Sequence, residues 1–193
     1  WERRGIFRIC RRAPYTPTCG PFLEMTAQKP VTMIEMRRKA LGCMVDLLEN
    51  ESPAICLLPL DRGISEALPF FWHGYKVIPY YTYLLDLSVS LEEIFNNMAS
   101  AQRNHIAKAQ KDQLTVRRTE DLRIVRELVL ATFRRQRKSL DEGMLDSILF
   151  RYCNGNNSFA FTTYRGECPI ATCLIVHDHN TAYDLLAGYR AEE

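Results

Sequence analysis

The stretch FAFTTYRGECPIATCLIVHDHNTAYDLLAGY, residues 159–189, decides the fold. Apolar and polar residues alternate through most of it with a period of two, the spacing of a half-buried β-strand. Phe159 to Tyr164, Ile170 to Val176 and Ala182 to Tyr189 read as three strands. Arg165-Gly166-Glu167 and His177-Asp178-His179-Asn180 join them, and both are short polar connections of the hairpin kind. An antiparallel meander is predicted. Upstream of it the period becomes helical. Asp141 can cap a helix with Leu145, Ile148, Leu149 and Tyr152 inside, closed by Asn154-Gly155-Asn156-Asn157. Thr119 precedes a helix whose stripe is Leu122, Val125, Leu128, Val129 and Phe133, and Leu114 to Arg118 alternates as a strand before it. The order from Leu114 onward is strand, helix, helix, strand, strand, strand.

Ser90-Leu91-Glu92-Glu93 is a capping box, so another helix begins there. Leu91, Ile94, Phe95, Met98, Gln102, Ile106 and Ala109 form one stripe, which predicts a single helix over 91–109. Arg103, His105, Lys108 and Lys111 fall mostly outside that stripe. Two readings of this basic side stay open: a solvated face matched to the helix dipole, or contacts to an anion. The tail Arg134, Arg135, Arg137 and Lys138 has the same two readings. Further upstream, Val77 to Leu87, Phe70 to Trp72 and Ala54 to Leu60 read as three strands. Met33, Met36, Ala40, Leu41, Met44, Leu47 and Leu48 predict an amphipathic helix over 32–49, giving a βαβ-like opening. Pro14, Pro17, Gly20, Pro21 and Pro30 leave the first thirty residues extended or looped, with at most short strands.

Composition bounds the class. With 193 residues, 47% hydrophobic and 25% charged, the chain belongs with ordinary globular proteins, as one large domain or two small ones. Its 25 basic and 23 acidic residues leave a formal charge of +2, too even to predict nucleic-acid or membrane binding from net charge. Pro59 and Pro69 interrupt the longest apolar stretches, well short of the roughly 20 residues of a spanning helix. Arg3, Arg4, Arg8, Arg11 and Arg12 precede no apolar core of a secretory signal. Seven cysteines, an odd number without any C-x-x-C pair, predict reduced thiols and a cytoplasmic location. The nearest approach to a zinc pattern is Cys168 with Cys173 and His177 with His179. Buried thiols and a polar hairpin tip explain those residues more simply, and no metal is assigned.

The β-α-α-β-β-β series resembles the GNAT acyltransferase fold, an α/β (α+β) class with a largely antiparallel sheet flanked by helices. The wording narrows this to the FemAB-like group. Thr82-Tyr83-Leu84-Leu85-Asp86-Leu87, Ser90-Leu91-Glu92-Glu93 and Arg103-Asn104-His105-Ile106-Ala107-Lys108-Ala109 are similar to its TY-x-L-D-L, S-L-E-E-L and R-x-x-I-x-K-A series. Thr132-Phe133-Arg134-Arg135-Gln136 and Ala182-Tyr183-x-Leu185-Leu186-Ala187-Gly188 continue the match. Pro14-Tyr15-Thr16-Pro17-x-x-Gly20-Pro21 is similar to a proline-rich segment of some bacterial members.

The resemblance implies two GNAT-like halves: an abbreviated first half over 1–87 and a second over 88–193. It implies transfer of an acyl or aminoacyl group to an amine. The donor is acyl-CoA or aminoacyl-tRNA, used as a co-substrate rather than a tightly bound cofactor, and the acceptor a small-molecule or muropeptide-like amine of peptidoglycan assembly. Such chemistry needs aligned substrates, N–H groups for the oxyanion and a proton acceptor, with no nucleophilic triad. By the same resemblance the backbone of Leu186, Ala187 and Gly188 pairs with the donor, and Gly188 has the equal alternative of a bulge or strand end. Arg103 and Lys108 contact a phosphate or carboxylate of the acceptor. Tyr83 is a proton donor or, by the alternative reading, a structural strand tyrosine.

One departure accompanies the match: no glycine-rich phosphate loop follows Tyr189. Either the natural protein continues past Glu193, or the chain keeps the scaffold as a non-catalytic binding or assembly module. The uncovered edge that Ala182 to Tyr189 would present favours the longer protein.

Overall fold

A computed structural model describes every residue except Met25, Ala27, Ser65, Glu192 and Glu193. The expected stop of the second half at Glu193 therefore lies outside the described residues. The protein is α+β and divides into two compact units, Trp1–Leu84 and Leu85–Glu193.

In the first unit, β1 (Glu2–Arg4) and β2 (Phe7–Arg11) form a hairpin that turns at Gly5, whose φ of 61° is open to glycine without strain. β2 then pairs in parallel with β3 (Ile55–Leu57), and the crossover contains α1 (Pro30–Asn50). Pro30 opens that helix, where its missing N–H costs nothing. Leu41, Val45 and Leu48 are one face of α1 at helical spacing, buried with Cys10 and Phe70.

Phe70 to Trp72 corrects the predicted strand. The run is a short helix, α2 (Leu68–Trp72), with Pro69 in its first turn. Gly74, at a φ of 78°, and Tyr75 close it by donating to the carbonyls of Phe71 and Phe70, both at 3.0 Å. The Phe70 and Tyr75 rings meet edge to face at 5.9 Å across this C-cap. Three consecutive aromatics carry no period, so local burial of Phe70 decides the conformation. The predicted strand over Val77 to Leu87 also fails. It has no strand partner, and Tyr80, Tyr81 and Tyr83 lie in the open.

In the second unit the predicted single helix over 91–109 is two helices, α3 (Leu91–Asn97) and α4 (Ser100–Lys111). Met98 and Ala99 both adopt extended ψ near 145°, which breaks the ladder. Ser90 caps α3 by accepting from the Glu93 N–H at 3.1 Å. β4 (Thr115–Thr119), α5 (Leu122–Arg135) and α6 (Glu142–Ser147) follow, the last running into a π-turn over Ile148–Tyr152. Asp121 and Asp141 cap α5 and α6 by accepting from Arg123 N–H and Met144 N–H. β5 (Ser158–Arg165), β6 (Cys168–His177) and β7 (Ala182–Tyr189) complete an antiparallel sheet of order β4-β5-β6-β7.

α5 lies on one face of this sheet. Its buried residues Val125, Leu128, Val129 and Thr132 recur at helical spacing, and the sheet buries Ala160, Thr162, Thr172, Leu174 and Leu186. Leu145 and Leu149 extend the same unit's buried set. Inside the sheet the hydroxyls form a directed chain. Thr172 donates to the Phe161 carbonyl at 2.9 Å, so it can only accept from Thr162 at 3.3 Å, and Thr162 accepts from Thr119 at 2.6 Å. Thr162→Val keeps the shape and strands the buried Thr119 donor. The expected loss is about 1–3 kcal/mol in urea denaturation, and no loss would show that the Thr119 hydroxyl finds another partner.

Candidate functional site at the free edge of β7

Among the described residues β7 has a neighbour on one side only, so one row of its backbone groups faces away from the sheet. The phase of that row follows from one bond. Arg190 N–H donates to the Ile170 carbonyl at 2.8 Å, and antiparallel pairs alternate between bonded and non-bonded. Gly188 and Leu186 therefore spend their backbone groups on Thr172 and Leu174 of β6, while Ala187 and Tyr189 turn theirs to the free edge. Thr132 on α5 serves Tyr189, accepting from its N–H at 2.7 Å and lying 3.0 Å from its carbonyl oxygen. Ala187 is exposed, with its side chain too small to shield its own backbone.

Of the three backbone positions expected at a donor, the structure thus turns Ala187 outward and keeps Leu186 and Gly188 within the sheet. Gly188 is neither a bulge nor a strand end. A Cβ there would lie 2.5 Å from the Val129 nitrogen and 2.6–2.7 Å from the Leu128 carbonyl group. Its hydrogen lets helix and strand backbones touch. The bulge falls earlier, at Leu185, between the pairs Leu174–Leu186 and Ile175–Asp184.

Beside this edge lies an open hollow of about 570 Å³. Thr132 and Gln136 at the end of α5 form one wall, and Ala187, Tyr189 and Arg190 another. The basic tail of α5 reaches it in part: the Arg135 guanidinium stacks 3.7 Å over the Tyr189 ring, and Arg190 pairs with Glu127.

Asp184 was missed in reading the sequence. It sits opposite Ile175, one residue before the bulge and outside the hollow; the residue is exposed, and the partial desolvation of its carboxyl raises the pKa above the usual aspartate range. Cys173 is its electrostatic neighbour, with a thiol pushed up by burial first and by Asp184 second. The available signal was one acid inside the apolar run 182–189. Because only the folded state penalises the charged carboxylate, its contribution is most favourable below the ordinary Asp pKa and is lost as pH rises through the higher folded value. Asp184→Asn should therefore gain stability relative to the native protein at pH 7. That gain should close as pH falls below the ordinary aspartate range; a gap independent of pH in thermal melts would contradict it.

The other sequence-derived residues lie elsewhere. Arg103 bridges the break between α3 and α4, donating to the Asn96 carbonyl at 2.9 Å and to that of Met98. Lys108 is exposed in the last turn of α4, and the five-residue spacing sets it about 140° around the helix from Arg103. Tyr83 is fully exposed and belongs to the first unit. Cys168 and Cys173 stand about 16 Å apart along β6, too far to share a metal, and His177 packs 5.6 Å from the Phe159 ring. The metal-ligand group found among the described residues is Asp46, Glu49 and His73 in the first unit, all exposed, with His73 Nδ1 3.0 Å from Glu49 Oε1. No helix among the described residues is long and apolar enough to cross a membrane.

No protein-family model matches the chain, and no curated protein matches it.

Proposed function

We propose that the protein transfers an acyl or aminoacyl group from a thioester or aminoacyl-tRNA donor to an amine, as a GNAT-like protein of the FemAB type. The observation that carries this reading is the free edge of β7. There an outward-facing Ala187 backbone, an adjoining hollow and a carboxylate with a raised pKa share one strand.

The chemistry follows from those groups. The donor lies along the edge as an added strand would, hydrogen-bonded to the Ala187 N–H and carbonyl. The acceptor nitrogen attacks the donor carbonyl, forming the C–N bond. As the tetrahedral intermediate collapses, the C–S or C–O bond to the donor breaks. Asp184 takes the proton that the nitrogen sheds and returns it to the departing sulfur or oxygen. A carboxyl held above the usual range is a better match to this task at neutral pH than an ordinary aspartate. Arg135, stacked on Tyr189, gives the neighbourhood of the hollow a positive character suited to a phosphate-bearing donor.

The test is calorimetric titration of acetyl-CoA and, separately, of aminoacyl-tRNA into the protein, followed by amine-acceptor turnover. Micromolar binding of either donor is the expected result, and Asp184→Asn should lower kcat by about 100-fold or more with donor affinity retained. Unchanged turnover in that variant would remove Asp184 from the mechanism. Loss of turnover in Arg103→Ala with folding and donor binding kept would return Arg103 to the acceptor site.

A second reading, a non-catalytic binding or assembly module, draws on the exposed residues Ile78, Tyr80, Tyr81, Tyr83 and Leu84 of the first unit. Absence of binding by both donors would favour it.

A further inference from the structure

The first unit holds a pair of thiols that the transfer chemistry does not use. Cys10 on β2 and Cys56 on β3 are direct partners in a parallel strand pair, so their side chains leave the same face of the sheet. Neighbouring strands run about 4.8 Å apart. That spacing falls inside the Cα separation of roughly 4.4–6.8 Å that a disulfide tolerates. The two thiols are near enough for Cys10 to act electrostatically on Cys56. β3 is a three-residue strand at the sheet edge.

A third thiol stands near and is otherwise engaged. Cys19 donates its backbone N–H to the Pro59 carbonyl at 2.8 Å, and its sulfur lies 3.6 Å from the same oxygen. The remaining four cysteines, Cys43, Cys153, Cys168 and Cys173, lie on other elements or in the second unit.

We propose that Cys10 and Cys56 are an oxidative cross-linking site, forming a reversible disulfide between β2 and β3 when the surrounding glutathione pool is oxidised. The steps balance with oxidised glutathione as the oxidant. The Cys56 thiolate, the more open of the pair, attacks a glutathione sulfur, breaking its S–S bond and releasing one reduced glutathione. The Cys10 thiolate then attacks the Cys56 sulfur of the mixed disulfide. The protein S–S bond forms and the second glutathione leaves reduced, so two thiol protons are given up and two are taken by the glutathiones. Burial first, and the neighbouring Cys10 and Cys19 sulfurs second, push the Cys56 thiol up to about 12. Thiolate is therefore scarce at neutral pH, and the exchange is slow in both directions. The bond would close the whole α1 crossover into a covalent loop and restrict the unfolded chain.

The experiment incubates the full native chain with a 100-fold excess of oxidised over reduced glutathione. Free thiols are then blocked with N-ethylmaleimide, and tryptic peptides are mapped by mass spectrometry. The expected product joins the Cys10 peptide to the peptide carrying Cys43 and Cys56, two hydrogens lighter than the reduced pair, with fragmentation placing the link at Cys56. The melting temperature should rise by several degrees, reverse with dithiothreitol and fail to respond in Cys56→Ala. Cys10 and Cys56 both alkylated, Cys10 linked to Cys19, or an equal oxidant response in Cys56→Ala would each overturn the proposal.

Discussion

Gly188→Ala is expected to destabilise the second unit by about 3 kcal/mol, more than an added methyl group usually costs. The added carbon would lie 2.5 Å from the Val129 nitrogen, 2.6 Å from the Leu128 carbonyl carbon and 2.7 Å from its oxygen. All three are backbone atoms, so no side-chain rotamer can yield. α5 and β7 must move apart, which opens the packing of Leu128, Val129 and Leu186, all buried. The same movement pulls Thr132 from the Tyr189 N–H. Hydrogen exchange should speed up most in peptides covering 122–135 and 182–189. Because the residue lies beside the hollow, the variant should also lose donor binding while Cys56-directed chemistry in the first unit stays as it was. A variant with native stability would mean that helix and strand approach less closely than these distances state.

Leu41→Ala should cost the first unit about 3 kcal/mol or more. Leu41 is fully buried, and deleting a buried leucine side chain removes its transfer energy and leaves a cavity, for a total of roughly 2.7–5 kcal/mol. Its neighbours in the cluster are Cys10, Val45, Leu48 and Phe70. Leu47→Ala on the opposite, exposed face of α1 is the control, and it should change stability by less than about 0.5 kcal/mol. Equal losses in the two variants, read from urea midpoints, would mean that α1 packs through a different face.

These two positions also show what pattern reading reaches. Leu41 and Leu48 were legible because burial of a helix face follows from spacing, but the expected stripe also took in Leu47, which is exposed, and left out Val45, which is fully buried. The three meander strands and the stripe of α5 were legible for the same reason, and the acids that cap α5 and α6 stand one residue before them. Phe70 to Trp72 was misread because three aromatics in a row have no period, and the closing Gly74 turn outweighs their β-propensity. Val77 to Leu87 was misread because β-propensity supplies a willing strand and cannot supply a partner. The helix break at Met98 was hidden by a stripe that continues across it.

In the candidate site, Ala187 and Gly188 were singled out together from the run at 182–189, yet their neighbours give them opposite tasks. One bond from Arg190 to Ile170 sets which of them faces outward, and the α5 backbone sets which must be glycine. Asp184, though exposed, acquires its raised pKa from partial desolvation of its carboxyl beside the bulge. From Thr115 to Tyr189 the amino-acid pattern by itself determined the succession of strands and helices, since periodicity and capping are local. Which edge stays open, which carboxyl is desolvated and which thiols stand side by side were decided by tertiary structure. Those properties depend on distances between segments far apart in the chain, and no spacing along one segment encodes them.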